Sequence, residues 1–131
     1  MGVDMMAFDA TGGIGEFRLT NTAWEEVASF CRLVAPDICV RQAENPNYVG
    51  YYDYYTAEDA VALAGRINDA VRLGKTTEFR CHFLTIATNS EAGMPVDIKY
   101  LIEDSMPQDA FVNLMRRYAQ FLHASGGVGM L

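Results

Sequence analysis

The chain has 131 residues, half of them apolar in a broad count and 21% charged, which suits one globular domain with a sizeable core. Seventeen acidic against ten basic residues give a net charge of −7, a field that opposes binding to nucleic-acid phosphates and to anionic lipid. No apolar run reaches the roughly 18 to 20 residues of a membrane span and MGVDMMAFDA lacks the features of a signal peptide, so we predict a cytoplasmic protein without a membrane partner.

The first predicted elements are a flexible lead-in, a strand and a helix. The glycines of ATGGIGEF predict a flexible end over residues 1 to 14, and residues 16 to 20 alternate as a strand does. In NTAWEEVASFCRLVAP, Thr22 and Glu25 have the spacing of a capping box and apolar residues recur every three or four positions. Pro36 ends this run, so we predict a helix over residues 22 to 34.

The next segment leads into the tyrosine-rich stretch NYVGYYDYYTAEDA, residues 47 to 60. The β-branched and apolar residues of DICVRQA and the aromatic residues that follow are typical of strands, and ENPN between them is typical of a turn. They predict a hairpin of residues 38 to 42 against residues 49 to 54.

A second helix is predicted from Thr56, its N-cap, with Glu58 and Asp59 at the positive end of the helix dipole. Gly74 has the position of a C-terminal cap. The predicted buried stripe contains Ala60, Leu63, Ala64, Ile67 and Val71.

Residues 76 to 90, TTEFRCHFLTIATNS, fit two structures. The spacing of Phe79, Phe83, Ile86 and Ala87 is helical, whereas the content of Thr, Phe and Ile is typical of a strand. We favour a strand, because the alternating segment MPVDIKYLIED would pair with it as a hairpin through NSEAG.

A last helix is predicted to begin after Ser105, which has Gln108 at capping-box spacing, and to end at SGG. Its stripe runs from Phe111 to Leu122, and residues 126 to 131 are predicted as a second flexible end.

These elements predict one globular domain, residues 1–131, of the α+β class. Three amphipathic helices would pack on an antiparallel sheet. The alternative is a mostly α fold in which residues 76–90 are helical.

The sequence motifs that would indicate catalysis, a metal site or a cofactor-binding site are weak. The three cysteines form no CxxC pair and there are only two histidines, so we predict no metal site. Cys81 and His82 are neighbours, which point to opposite faces of a strand and cannot act as nucleophile and base. GKTT, residues 74 to 77, has Asp69 where a phosphate-binding loop needs glycine. We therefore predict a protein that is not an enzyme and has no cofactor.

The tyrosine stretch supplies the candidate site. Tyrosine is enriched at interfaces because it buries a large area and keeps a polar hydroxyl. Together with the acidic residues around it, the stretch predicts a surface that binds a basic partner. The partner-binding residues are Tyr48, Tyr51, Tyr52, Asp53, Tyr54, Tyr55 and Glu44.

Two other interpretations of the tyrosines stay open. The rings could belong to the core. Alternatively, Tyr52 or Tyr54 could stack on a small molecule whose anionic group meets Arg41 or Lys75.

Small size, negative charge and the lack of catalytic motifs predict a non-enzymatic interaction module that binds a protein with a basic surface, and a homodimer is a possible assembly. In these bulk properties the chain is similar to inhibitors and immunity-type proteins. The alternative is a small-molecule or nucleotide-sequestering protein with a Tyr-lined pocket.

Overall fold

The computed structural model describes residues 2–9, 15–44, 54–80 and 107–130, with the backbone alone for residues 43 and 44. Helices pack on a three-stranded antiparallel sheet, and the predicted α+β class is confirmed. The strands are β1 (Gly2–Ala7), β2 (Glu16–Thr20) and β3 (Val128–Met130), in the order β2-β1-β3. The helices are α1 (Asn21–Val34), α2 (Pro36–Glu44), α3 (Ala57–Arg72) and α4 (Gln108–Ala124). Residues 75–80 are also helical.

Two strands lie in the segments predicted to be flexible ends. In β1, the central strand, Met5 pairs with Phe17 of β2 on one side and with Met130 of β3 on the other. Met5 is buried while Met6 is exposed, as the side-chain alternation of a strand requires. The two ends of the described chain are therefore joined through the sheet.

Helix α1 begins one residue earlier than predicted, and its N-cap lies two residues earlier. Thr20, the last residue of β2, is the N-cap, and its hydroxyl accepts a hydrogen bond from the amide of Ala23 at 3.1 Å. The predicted cap, Thr22, lies inside the helix. Thr20 thus ends the strand and starts the helix, which fixes the angle between them.

Replacing Thr20 with alanine is expected to lower the free energy of unfolding by about 1 kcal/mol, because the Ala23 amide loses its capping partner. Replacing Thr22 with alanine is the matched control and should change stability by less than about 0.5 kcal/mol. Urea denaturation of both variants measures the difference. A larger loss for the Thr22 variant would restore the cap predicted from the sequence.

The predicted strand over residues 38 to 42 is wrong, since these residues belong to α2. Pro36 and Asp37 occupy the first turn of α2, where proline has no amide to lose and a carboxylate meets the positive end of the dipole. Ile38 is fully buried from this helix. Pro36 therefore ends one helix and begins the next.

Helix α3 matches its prediction. The hydroxyl of Thr56 accepts a hydrogen bond from the amide of Asp59 at 3.1 Å, and Gly74 follows the helix with φ of +75°. The predicted stripe is buried up to Ile67. For residues 76 to 80 the helical alternative is correct and the strand is wrong, while residues 81 to 106 lie outside the described chain.

Helix α4 also matches its prediction, except that Pro107 is its N-cap and forms no side-chain cap. Predicted Ser105 is outside the described residues. At the other end, Gly126 and Gly127 have φ of +68° and +113°, which turn the chain back so that β3 runs beside β1. At Gly127 the φ of +113° is a conformation that other residues rarely adopt, and an added Cβ would also lie 3.3 Å from the carbonyl oxygen of Tyr55.

The core lies between one face of the sheet and helices α1, α3 and α4. Its centre is a cluster of Phe30, Phe79 and Phe111, whose ring centroids are 5.3 to 6.0 Å apart. Phe17 and Tyr118 pack nearer the sheet, with centroids 5.4 Å apart and ring planes tilted by 46°. Side chains from distant parts of the sequence meet in these clusters.

Candidate functional site

Most of the predicted partner-binding residues lie outside the described chain. These are Tyr48, Tyr51, Tyr52 and Asp53, and the side chain of Glu44 is not described either. Of the predicted hairpin strand over residues 49 to 54, only Tyr54 is described, and it lies in a bend. The structure therefore locates two of the seven residues, Tyr54 and Tyr55.

Tyr55 is 4% exposed and belongs to the core. Its amide donates to the carbonyl of Val128 at 3.1 Å, and its carbonyl accepts from the Val128 amide at 2.9 Å, so it extends the sheet beyond β3. Burial raises the pKa of the Tyr55 hydroxyl far above its usual range. This ring is not available to a partner.

Tyr54 is half-buried and packs between two other rings. Its centroid is 4.7 Å from that of Tyr55 and 6.1 Å from that of Trp24, both in edge-to-face arrangements. The core interpretation thus holds for Tyr55 and partly for Tyr54.

The described acidic groups near this stretch are largely neutralised by the protein's own arginines. Arg41 contacts Asp59 at 2.7 Å, and Arg66 forms two hydrogen bonds of 3.0 Å with Asp37. The bonds from Arg66 lower the pKa of the Asp37 carboxyl. Glu58 is exposed without such a partner. The acidic patch proposed from the sequence is therefore weaker at its described residues than the charge count indicated.

The alternative ligand-binding residues do not converge. Tyr54 lines a small cavity and Lys75 lines a separate groove, whereas Arg41 lines neither and is bound to Asp59. The remaining member, Tyr52, is outside the described residues. Tyr54 and Lys75 can belong to two sites, but not to one small pocket.

The docking groove, as we call the larger concavity, lies between the C-terminal ends of α1 and α3 and the helical residues 75–80. Its volume is about 800 Å³. Leu33 and Leu73 line it and are 59% and 61% exposed, the highest values among the large apolar side chains of the described residues. The charged lining residues are Arg32, Arg66, Lys75, Asp69 and Glu78.

The aromatic cavity, as we call the smaller one, has a volume of about 130 Å³ and lies between α1, α2 and Tyr54. Burial raises the pKa of the Cys31 and Cys39 thiols, so they stay protonated and are poor nucleophiles. Predicted Cys81 and His82 lie outside the described residues. The lining residues are Trp24, Ala28, Cys31, Arg32, Cys39, Gln42, Tyr54 and Tyr55.

Sequence reasoning missed a buried ion pair between Glu26 of α1 and Arg80. Glu26 is 1% and Arg80 6% exposed, and Arg80 Nε lies 3.4 Å from Glu26 Oε2. The guanidinium also lies 5.2 Å from the centroid of the Phe111 ring and 3.5 Å from the amide oxygen of Gln108. Desolvation raises the pKa of Glu26, and Arg80 partly opposes that rise.

The sequence contained a signal for this pair. Glu26 lies three residues after Ala23 and four before Phe30, and this spacing places its carboxyl on the same face of α1 as those apolar residues. Neither Glu26 nor Arg80 lines the docking groove or the aromatic cavity. We treat it as part of the core and not as a reaction centre.

No three His, Cys, Asp or Glu side chains within the described residues lie close enough together to hold a metal ion. Within the same residues, no helix is both long and apolar enough to cross a membrane. Comparison of this chain with protein-family models, with curated proteins and with solved structures finds no match.

Proposed function

We propose that this protein is a non-enzymatic interaction protein that binds an amphipathic segment of a partner protein in the docking groove. The observation that carries the proposal is the position of Leu33 and Leu73. Single exposed leucines are ordinary, but these two are the most exposed large apolar residues described and both line one concave surface. Apolar side chains of a partner would bury them, as in helix-in-groove recognition.

The charges of the groove define the segment that it would accept. Arg66 is bound to Asp37 and Asp69 is bound to Arg72, which leaves Arg32 and Lys75 against Glu78. We therefore propose that the bound segment carries carboxylates beside its apolar residues. The net charge of −7 favours basic residues on the partner outside the groove. A cytoplasmic location and a homodimer stay predictions from the sequence.

The test begins with stability. The double variant Leu33→Asp, Leu73→Asp should unfold within a few degrees of the wild type, because changes to exposed side chains alter stability by about 0.5 kcal/mol or less each. Val61→Asp is the matched control, since Val61 is 46% exposed on α3 and does not line the groove. A large drop in melting temperature for the double variant alone would place the leucines inside the folded molecule and overturn the proposal.

Binding is then measured with a partner that co-purifies with the wild-type protein and is produced separately. The double variant should bind it at least about tenfold more weakly, as central apolar contacts do when lost, and Val61→Asp should bind like the wild type. Lys75→Glu should also weaken binding if the segment is acidic. Affinity that is unchanged in the double variant would remove the groove as the binding surface, and tighter binding by Lys75→Glu would show that the segment is basic.

A further inference from the structure

Two neighbouring arginines at the centre of α4 have no polar partner. Arg116 and Arg117 are exposed, and neither forms an ion pair or a hydrogen bond with any of the described residues. In a chain with seventeen acidic residues this is an exception, because every other arginine contacts a polar side chain. Arg18, Arg41, Arg66, Arg72 and Arg80 each contact a carboxylate, and Arg32 contacts the Ser29 hydroxyl.

The stability of α4 gives no reason for these two charges. The helix extends from Gln108 to Ala124, so both arginines lie too far from its C-terminal end to interact with the dipole, which acts within the last turn. No carboxylate lies three or four residues from either arginine, where the two would form a pair along the helix. Solubility does not require them, since the net charge of −7 already keeps molecules apart.

The two arginines belong to a continuous exposed face of α4 without a carboxylate. Asn113 precedes them by three and four residues and Gln120 follows at the same spacings, so the four side chains are neighbours on the helix surface. His123 extends this face by one more turn. We call residues 113, 116, 117, 120 and 123 the basic face, and its length is about 15 Å at the rise of an α-helix. It is a local exception to the negative charge of the protein.

The basic face fits separate carboxylates better than it fits a nucleic acid. Adjacent residues of a helix point about 100° apart, so Arg116 and Arg117 would each hold a carboxylate of their own. A guanidinium binds a carboxylate through two parallel hydrogen bonds, which gives each pair a defined geometry. A nucleic acid carries a phosphate at every nucleotide and needs many cations, which a chain with ten basic residues against seventeen acidic ones does not supply.

We propose that the basic face of α4 is a second interaction surface, which binds an acidic segment of a partner protein through carboxylates paired with Arg116 and Arg117. No large apolar side chain of α4 is exposed, so this binding depends on charge and weakens as salt is added. The surface does not depend on the docking groove, because none of its residues lines that groove.

The test uses a short polyglutamate peptide as the probe and follows the backbone amide resonances of the full chain. At about 20 mM NaCl the peptide should shift the resonances of the basic face in a saturable manner, and about 200 mM NaCl should weaken binding at least about threefold. Polylysine should not shift them. No saturable shift on the basic face at low salt would overturn the proposal. Tighter binding of this face to a DNA duplex than to polyglutamate would also overturn it and assign the face to nucleic acid.

A matched pair of variants separates the basic face from the overall charge of the protein. Arg116→Gln with Arg117→Gln should weaken peptide binding by about fivefold or more, since each exposed ion pair contributes a factor of up to about five. Arg18→Gln with Arg72→Gln changes the net charge equally but removes arginines that already contact carboxylates, and it should bind within about twofold of the wild type. Equal losses in both variants would mean that overall charge alone governs binding, and would contradict the site.

The groove variant Leu33→Asp, Leu73→Asp supplies a second control with the same change in net charge. It should keep the wild-type affinity for polyglutamate within about twofold, because both leucines line the docking groove and lie outside the basic face. A loss as large as that of the arginine variant would place the peptide in the groove and overturn the proposal. Failure of the basic face and failure of the docking groove are thus observed separately.

Discussion

Replacing Phe111 with alanine is expected to lower the free energy of unfolding by about 3–5 kcal/mol, the range for removing a buried aromatic ring. Phe111 is fully buried, with the rings of Phe30 and Phe79 at 5.8 and 6.0 Å and the Arg80 guanidinium at 5.2 Å. Its removal leaves a cavity between three elements that cannot close without moving α4. Since a small domain is stable by only about 5–15 kcal/mol, the variant should be close to unfolding at 37 °C.

Two further variants test the reason for this loss. Phe111→Leu keeps most of the volume and should cost about 1.5 kcal/mol or less, and Phe8→Ala, at a ring that is 49% exposed, should cost about 1 kcal/mol or less. Urea denaturation followed by circular dichroism measures all three. A loss below about 1 kcal/mol for Phe111→Ala would mean that the aromatic cluster is not packed as described.

The elements that sequence predicted correctly are those specified by local information. Helices α1, α3 and α4 each have at least 14 residues, a regular apolar stripe and recognisable end signals. Their burial follows from their own spacing of residues. Errors within them are limited to the exact cap, as at Thr20.

The errors lie where distant residues decide the structure. Strand β1 is stable as the central strand because it pairs with β2 and with β3 from the opposite end of the chain, and no pattern within Gly2–Ala7 contains that pairing. Helix α2 was missed because Ile38, Cys39 and Val40 favour a strand by propensity, whereas Pro36 and Asp37 start a helix and Ile38 has a core to enter.

The candidate sites follow the same rule. Leu33 lies in the last turn of α1 outside its buried face, and Leu73 is the C-cap residue that follows α3. That both line one groove depends on how α1 and α3 pack, which their sequences do not state. The convergence of Trp24 and Tyr54 on one cavity likewise depends on the pairing of Tyr55 with Val128.

Replacing Arg80 with leucine is expected to lower the free energy of unfolding by about 3–5 kcal/mol at pH 7, because it leaves the Glu26 carboxylate buried without its counter-charge. Both Glu26 oxygens are buried and accept no hydrogen bond from the described residues, so Arg80 is the main stabiliser of the charged form. Removing both charges by Glu26→Leu with Arg80→Leu should recover most of the loss, since well-packed apolar pairs often equal a buried ion pair in stability.

The loss should also grow with pH. Burial raises the pKa of Glu26 in the folded protein above its ordinary value of 4.5, so the folded state binds this proton more tightly than the unfolded state. The stability that comes from this difference is complete below pH 4.5 and is lost as the pH rises through the raised pKa. Arg80 limits the rise, so Arg80→Leu moves the folded-state pKa higher and extends the loss to higher pH.

Urea denaturation of wild type and Arg80→Leu at pH 5 and pH 8 measures this effect, and the gap in unfolding free energy should be larger at pH 8. The double variant Glu26→Gln, Arg80→Leu has no titrating group at position 26. The difference in unfolding free energy between this double variant and Glu26→Gln should therefore be the same at both pH values. A gap that narrows toward pH 8 would mean that the pKa of Glu26 in the folded protein falls when Arg80 is removed, so that Arg80 does not stabilise the charged carboxylate.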